Sequence, residues 1–243
     1  MYRFVSAALA ALLVTGCSKS PAPPPLDGQT TTPAAASAAD AMPAMGPERR
    51  ILAVGDSLFA GYGLESQAQS YPATLEKALR ARGINARVTN AGVSGDTSGA
   101  GAERFAFVLA NQPVKPELVI IEFGGNDVLR GLPPEQTRAN LKRMLDAARK
   151  AGVPVVLMGM IAPPNLGANF KAKFEPIYPE LAKEYEAKLV PFVLAGVIDQ
   201  PGLVQADRIH PNPQGVETMV ARTIDTVAGA LPPPPPPASP SAG

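Results

Sequence analysis

Between residues 49 and 231 the chain alternates short apolar runs with longer amphipathic stretches, and few folds accommodate that rhythm. The run Leu118-Val119-Ile120-Ile121 has no polar face. A strand of that kind has to be covered on both sides, which points to a parallel sheet between layers of helices. Strands are expected over 50–54, 86–90, 117–123, 153–160 and 189–193, and helices over 72–82, 97–111, 133–151, 168–187 and 212–231. The strongest helix is 133–151, where Leu141, Met144, Leu145 and Ala148 recur at helical spacing and Gly152 closes the element. Pro72 suits a first turn and Gly83 a stop. Gly99 and Gly101 weaken the start of 97–111, and Pro176 and Pro179 must break or kink 168–187. Strands alternating with helices imply right-handed crossovers. The expected architecture is therefore α/β, a three-layer α/β/α sandwich around a five-stranded parallel sheet.

The flanks read differently. Arg3 precedes Phe4 to Thr15, which is almost wholly apolar or small, as in a secretion signal over 1–16. That run falls short of the ~20 residues a spanning helix needs. It ends in Val14-Thr15-Gly16-Cys17, which resembles the bacterial lipobox, in which the signal is cut before a cysteine that is then lipidated. An ordinary signal peptide cut elsewhere is the alternative. The expected location is the bacterial cell envelope, with Cys17 as a lipid anchor to the membrane. Ser18 resembles the signal for outer-membrane retention, facing the periplasm. Residues 17–48 are rich in Pro, Ala, Ser and Thr and too poor in bulky apolar groups to offset their ordering entropy, so they read as a disordered tether. As a coil this tether spans roughly 30 Å. Pro232 to Pro237 opens a tail over 232–243 with six consecutive prolines, a stiff polyproline II rod. That rod suits a proline-recognising partner or a spacer, although a plain disordered end is the more ordinary reading. One cysteine and one histidine exclude an internal disulfide and a Cys/His zinc site. A net charge of +1 with no basic run implies no nucleic-acid partner.

In an open parallel sheet, ligands bind beyond the carboxyl ends of the strands. Four polar motifs fall at that edge. Gly55-Asp56-Ser57 follows the first strand, Asn90-Ala91-Gly92 the second and Gly124-Gly125-Asn126-Asp127 the third, while Asp207-Arg208-Ile209-His210 lies between the fifth strand and the last helix. Taken singly, each resembles a helix cap or a turn. Taken together, they place a serine, an aspartate and the only histidine on one rim, a set suited to nucleophilic acyl transfer. Leu166 to Tyr178 is either a mobile lip over that rim or a helix whose Phe170 and Phe174 pack on the sheet.

These motifs resemble those of the SGNH-hydrolase superfamily, also called GDSL esterases and lipases. Gly55-Asp56-Ser57-Leu58 is similar to the first signature, Asn90 to Thr97 to the second, Gly124 to Asp127 to the third, and Asp207 to Asn212 to the last. The likeness covers nearly all of residues 49–231 and is strongest to the arylesterase and acyl-CoA thioesterase/lysophospholipase branch. It implies a flavodoxin-like fold and a serine esterase acting on small-molecule esters or thioesters, with no cofactor and no metal. By the same resemblance Ser57 is the nucleophile, His210 the base and Asp207 its orienting partner. The oxyanion is held by the Ser57 N–H, the Gly92 N–H and the Asn126 amide. Arg208 departs from the pattern, since glycine is usual there. No Gly-x-Ser-x-Gly elbow suggests the α/β-hydrolase fold, and no Walker lysine follows the glycines near Thr97. A deacetylase of envelope or extracellular polysaccharide would use the same residues. A non-catalytic tethered binding protein would not need all of them intact.

Overall fold

Five parallel strands form one sheet in the order β2-β1-β3-β4-β5: β1 (Arg49–Gly55), β2 (Ala86–Gly92), β3 (Leu118–Glu122), β4 (Val155–Met158) and β5 (Lys188–Val190). The computed structural model describes residues 46–234; the expected signal, Cys17, the tether up to residue 45 and the tail from residue 235 lie outside them. Every residue of β3 is buried, as its apolar run requires. Eight α-helices occur among the described residues: α1 (Ser57–Ala60), α2 (Tyr71–Ala81), α3 (Ser98–Ala110), α4 (Gly125–Leu129), α5 (Pro134–Ala151), α6 (Gly167–Phe174), α7 (Ile177–Tyr185) and α8 (Pro213–Ala228). α2 and α8 pack together on one face of the sheet, while α5 packs between α3 and α7 on the other. The buried Tyr71 hydroxyl of α2 meets Thr223 Oγ1 of α8 at 2.7 Å. Leu141, Met144, Leu145 and Ala148 of α5 are buried, and truncating one such leucine to alanine costs about 2–5 kcal/mol.

The expected three-layer α/β architecture is the one found, and the departures from expectation have local causes. β5 ends at Val190 rather than residue 193, because Pro191 has no N–H to continue the ladder. β4 starts at Val155 because the Val153 N–H closes the end of α5 on Ala148 O. The 168–187 segment breaks into α6 and α7 at Pro176, whereas Pro179 sits in the first turn of α7, where it displaces no helical hydrogen bond. Sequence periodicity does not reveal α1 and α4, which are too short to show a repeat, yet both carry polar residues of the rim.

The strand order changes direction at β1, since β2 lies on one side of it and β3 on the other. Such a switch point is where open α/β sheets bind ligands. The register lines up Gly92, Gly55, Glu122 and Met158 across the carboxyl edge, so the loops after β1, β2 and β3 leave the sheet side by side.

Candidate active site

Ser57 is the first residue of α1, a single turn closed by Gly61 at φ 76°. Asp56 caps that turn, its Oδ1 accepting the Leu58 N–H at 3.0 Å. The Ser57 N–H has no hydrogen-bond partner among the described residues, so it faces the rim as a free donor. On the opposite wall, Asp207 Oδ1 accepts the N–H groups of Ile209 at 2.9 Å and His210 at 3.0 Å. These two bonds fold residues 207–210 into a tight turn that brings Asp207 Oδ2 within 2.6 Å of His210 Nδ1. Arg208, inside the turn, adopts φ 58°. Glycine reaches that left-handed conformation without a Cβ penalty, whereas a side chain there costs about 1–2 kcal/mol.

His210 Nε2 lies 2.9 Å from Ser57 Oγ. An ionised Asp207 can only accept, so the imidazole proton sits on Nδ1 and the bare Nε2 accepts from the serine hydroxyl. Burial pushes the Asp207 carboxyl upward, but the His210 side chain, the two backbone N–H groups and the His210 charge outweigh it and bring its pKa to about 2. The Tyr62 ring covers the imidazole at 4.6 Å between centroids. Gln205 Nε2 holds the Tyr62 carbonyl at 2.7 Å and the Pro211 carbonyl at 3.0 Å, tying the two walls together. Ser57, Asp207 and His210, 153 residues apart at their extremes, thus form one hydrogen-bonded chain.

The expected oxyanion donors divide. Asn126, in α4, aims its Nδ2 between Asp56 Oδ2 and the Asp96 carbonyl, both at 3.0 Å. An oxyanion would share one of those hydrogens. The expectation for Gly92 is corrected. Its N–H is bound to Asn90 Oδ1 at 2.8 Å, and a Cβ there would lie 2.4 Å from the Ala60 nitrogen. Glycine at 92 therefore lets β2 pass close under α1 and does not open a path to substrate. The same loop offers another amide. Gly95 sits at φ 86°, its N–H has no partner among the described residues, and it adjoins Asp96, which Asn126 grips. With two glycines in one eight-residue motif, spacing alone could not choose between them.

Two further groups were not legible as site residues. Asp56 (2 % exposed) bonds Leu58, Ser57 and Asn126, and Glu122 (0 % exposed) ends β3 directly beside it. A single acidic residue closing an otherwise apolar strand was the available signal. Asp127, also buried, serves the scaffold. Its carboxylate holds the Ser98 N–H at 2.7 Å, the Ser98 hydroxyl and Thr137 Oγ1 at 2.9 Å, locking α4 to α3 and α5.

Beside Ser57 opens a cleft of about 400 Å³. Its walls include Leu58, Leu129, Met160, Ile161, Leu194 and Ile198. The 166–178 segment forms no lip, because Phe174 and Tyr178 are buried on the sheet and the Tyr178 hydroxyl donates to Phe123 O at 2.9 Å. Phe170 stacks on Phe174 instead of covering the cleft.

Known proteins are similar to this chain. Residues 53–218 match the GDSL-like Lipase/Acylhydrolase family. Esterase TesA of Pseudomonas aeruginosa is 45% identical over 161 residues, covering 66% of this chain and 79% of that protein. The arylesterase of Vibrio mimicus is 39% identical over 165 residues, covering 68% and 81% respectively. Among solved structures, AlinE4, an SGNH-hydrolase family esterase, is 58% identical, covers 77% of this chain and 99% of its own, and superposes with a TM-score of 0.65.

Proposed function

Since the chain belongs to the GDSL-like lipase/acylhydrolase family, we propose that it is a serine esterase that cleaves carboxylic esters or thioesters of acyl chains through Ser57, His210 and Asp207. The observation that carries this assignment is the unbroken chain from Asp207 to His210 at 2.6 Å and from His210 to Ser57 at 2.9 Å beside an apolar cleft. Ser57 Oγ attacks the substrate carbonyl carbon while its proton passes to His210 Nε2. Asp207 keeps Nδ1 protonated and stabilises the imidazolium. The carbonyl oxygen, now negative, takes donors from the Ser57 N–H, the Gly95 N–H and Asn126 Nδ2. His210 then protonates the departing alcohol or thiol, leaving an acyl-enzyme, and water repeats the sequence to release the acid and restore Ser57. The apolar cleft walls suit an acyl chain better than an acetylated glycan, which favours the esterase reading over a polysaccharide deacetylase.

The place of action is proposed from sequence alone. The Val14-to-Cys17 motif supports a lipid anchor at Cys17 in the outer membrane, with the catalytic domain held on the periplasmic side by residues 17–48. The Pro232–Pro237 run would be presented to a proline-recognising partner.

The test is hydrolysis of a p-nitrophenyl ester series of increasing chain length by the purified protein, with Ser57→Ala in parallel. Loss of the nucleophile is expected to lower kcat by about 10⁶. Substantial turnover by the variant would remove Ser57 from the reaction, and an optimum at acetate would move the assignment towards a deacetylase.

A further inference from the structure

Under the nucleophile lie two carboxyl groups that the acyl-transfer steps do not use. Glu122 (0 % exposed) closes β3, and Asp56 (2 % exposed) follows β1, its neighbour in the sheet. Glu122 Oε2 accepts the Asp56 N–H at 3.2 Å, while Glu122 Oε1 is buried without any partner among the described residues. Electrostatics requires one of this adjacent buried pair to be an acid. Among the described residues, no lysine, arginine or histidine forms an ion pair with either group. The nearby Arg104 is engaged by Asp96 at 2.7 Å and by the Ala91 and Gly55 carbonyls. Two uncompensated charges side by side in the interior are costlier than one shared proton.

The proton has a preferred owner. Asp56 is surrounded by donors: the Leu58 N–H at 3.0 Å, Asn126 Nδ2 at 3.0 Å and the Ser57 hydroxyl at 3.4 Å. Glu122 has one backbone donor at 3.2 Å, and the buried Tyr71 and Tyr178 near it give their hydroxyls to Thr223 and to Phe123 O. Burial, followed by the Asp56 charge, raises the Glu122 pKa well above the ordinary carboxyl range; burial raises Asp56 as well, but there the Leu58, Asn126 and Ser57 hydrogen bonds oppose it. Room has been left for the acid, because a Cβ on Gly55 would lie 2.8 Å from Glu122 Oε2.

We infer that Glu122 is a positioning residue, a neutral acid that donates its proton to Asp56 and so fixes the one carboxylate holding both the nucleophile turn and Asn126. Asp56 Oδ1 caps α1 at Leu58 and Oδ2 anchors the Asn126 amide. A single rigid group thereby sets the spacing between the attacking oxygen and an oxyanion donor. The inference rests on the serine-esterase reading, and it gives this branch of the site a part that touches no substrate.

The test combines infrared difference spectroscopy with steady-state kinetics on the full-length protein. Wild type at neutral pH is expected to show the carbonyl stretch of a protonated, buried carboxylic acid, and Glu122→Gln to lose it. Glutamine keeps the shape and can still donate to Asp56, so its kcat is expected to stay within a few-fold of wild type. Glu122→Ala frees Asp56 and is expected to lower kcat by about 10²-fold at nearly constant KM, as small misplacements of reacting groups do. If alanine prevents folding, the spectrum and the glutamine variant still decide the matter. The inference is overturned if no acid band exists, if the band survives in Glu122→Gln, or if a folded glutamine variant is as slow as Ser57→Ala. It is also overturned if Glu122→Ala matches wild type while Ser57→Ala is inactive, in which case the esterase reading stands without it.

Discussion

Two acidic sites flank Ser57, and they treat the same functional group in opposite ways. Asp207 lies on a loop with 36 % of its side chain exposed, and two backbone N–H groups and an imidazole converge on it. Asp56 and Glu122 lie beneath the sheet edge, with no cation paired to either among the described residues and too few donors for two charges. Donors bring Asp207 down to about 2, while burial drives Glu122 up. Proton affinity here follows the count of donors against the depth of burial and owes little to the identity of the residue. The division suits the chemistry. The outer carboxylate must stay charged while an imidazolium forms and disappears beside it. The inner pair must hold geometry without adding a second negative charge near where an oxyanion develops.

The comparison breaks most visibly on the outer side. Asp207→Asn preserves shape but allows the amide to donate to Nδ1, selecting the tautomer in which Nε2 cannot accept from Ser57. In Ser-His-Asp enzymes that exchange lowers kcat about 10⁴-fold, and a similar fall is expected here at nearly unchanged KM. Stopped-flow or steady-state ester hydrolysis checks it. A loss below tenfold would mean that the turn at 207–210 holds the imidazole without help from the carboxylate.

A smaller effect is expected where the two sides meet. Asn126 takes its orientation from Asp56 on the inner side and from the Asp96 carbonyl, and in the proposed mechanism it donates to the oxyanion facing the outer triad. Asn126→Ala is expected to lower kcat by about 10²–10³ with little change in KM, the usual loss for one oxyanion donor. A change confined to KM would assign Asn126 to substrate binding in the ground state, and the inner pair would then support a binding wall.

How much of this was legible follows the same division. The outer triad was legible because Asp207 and His210 are three residues apart in a chain with one histidine, and because Ser57 closes an apolar strand. The sheet was legible because Leu118 to Ile121 and the face of Leu141 to Ala148 impose their own periods. The inner pair was not, since Asp56 and Glu122 meet only through the β1–β3 register, 66 residues apart. Nothing in a single sequence reports register. The Gly92 expectation failed for a related reason. A glycine's purpose is set by what passes over it, and the backbone of Phe59 and Ala60 lies over Gly92.

The subtlest way to sharpen the comparison is through stability against pH, where the two sites have opposite signs. Asp207 has its pKa lowered on folding, from 3.8 to about 2. Its contribution is therefore fully present above pH 3.8 and is lost as pH falls towards about 2. Glu122 has its pKa raised on folding from 4.5, so its contribution is present below pH 4.5 and is lost as pH rises through the folded value. Between its unfolded and folded values a single proton gives a slope of about 1.4 kcal/mol per pH unit. Asp207, more than a third exposed and screened by solvent, gives the shallower response. Chemical denaturation of wild type, Asp207→Asn and Glu122→Gln at pH 3 to 9 checks both. The advantage of wild type over Asp207→Asn is expected to shrink only below pH 4. Glu122→Gln is expected to gain on wild type steadily as pH rises above 4.5. Parallel curves for wild type and Glu122→Gln across the neutral range would mean that Glu122 binds no extra proton in the folded state. The contrast between the two carboxyl sites would then reduce to exposure alone.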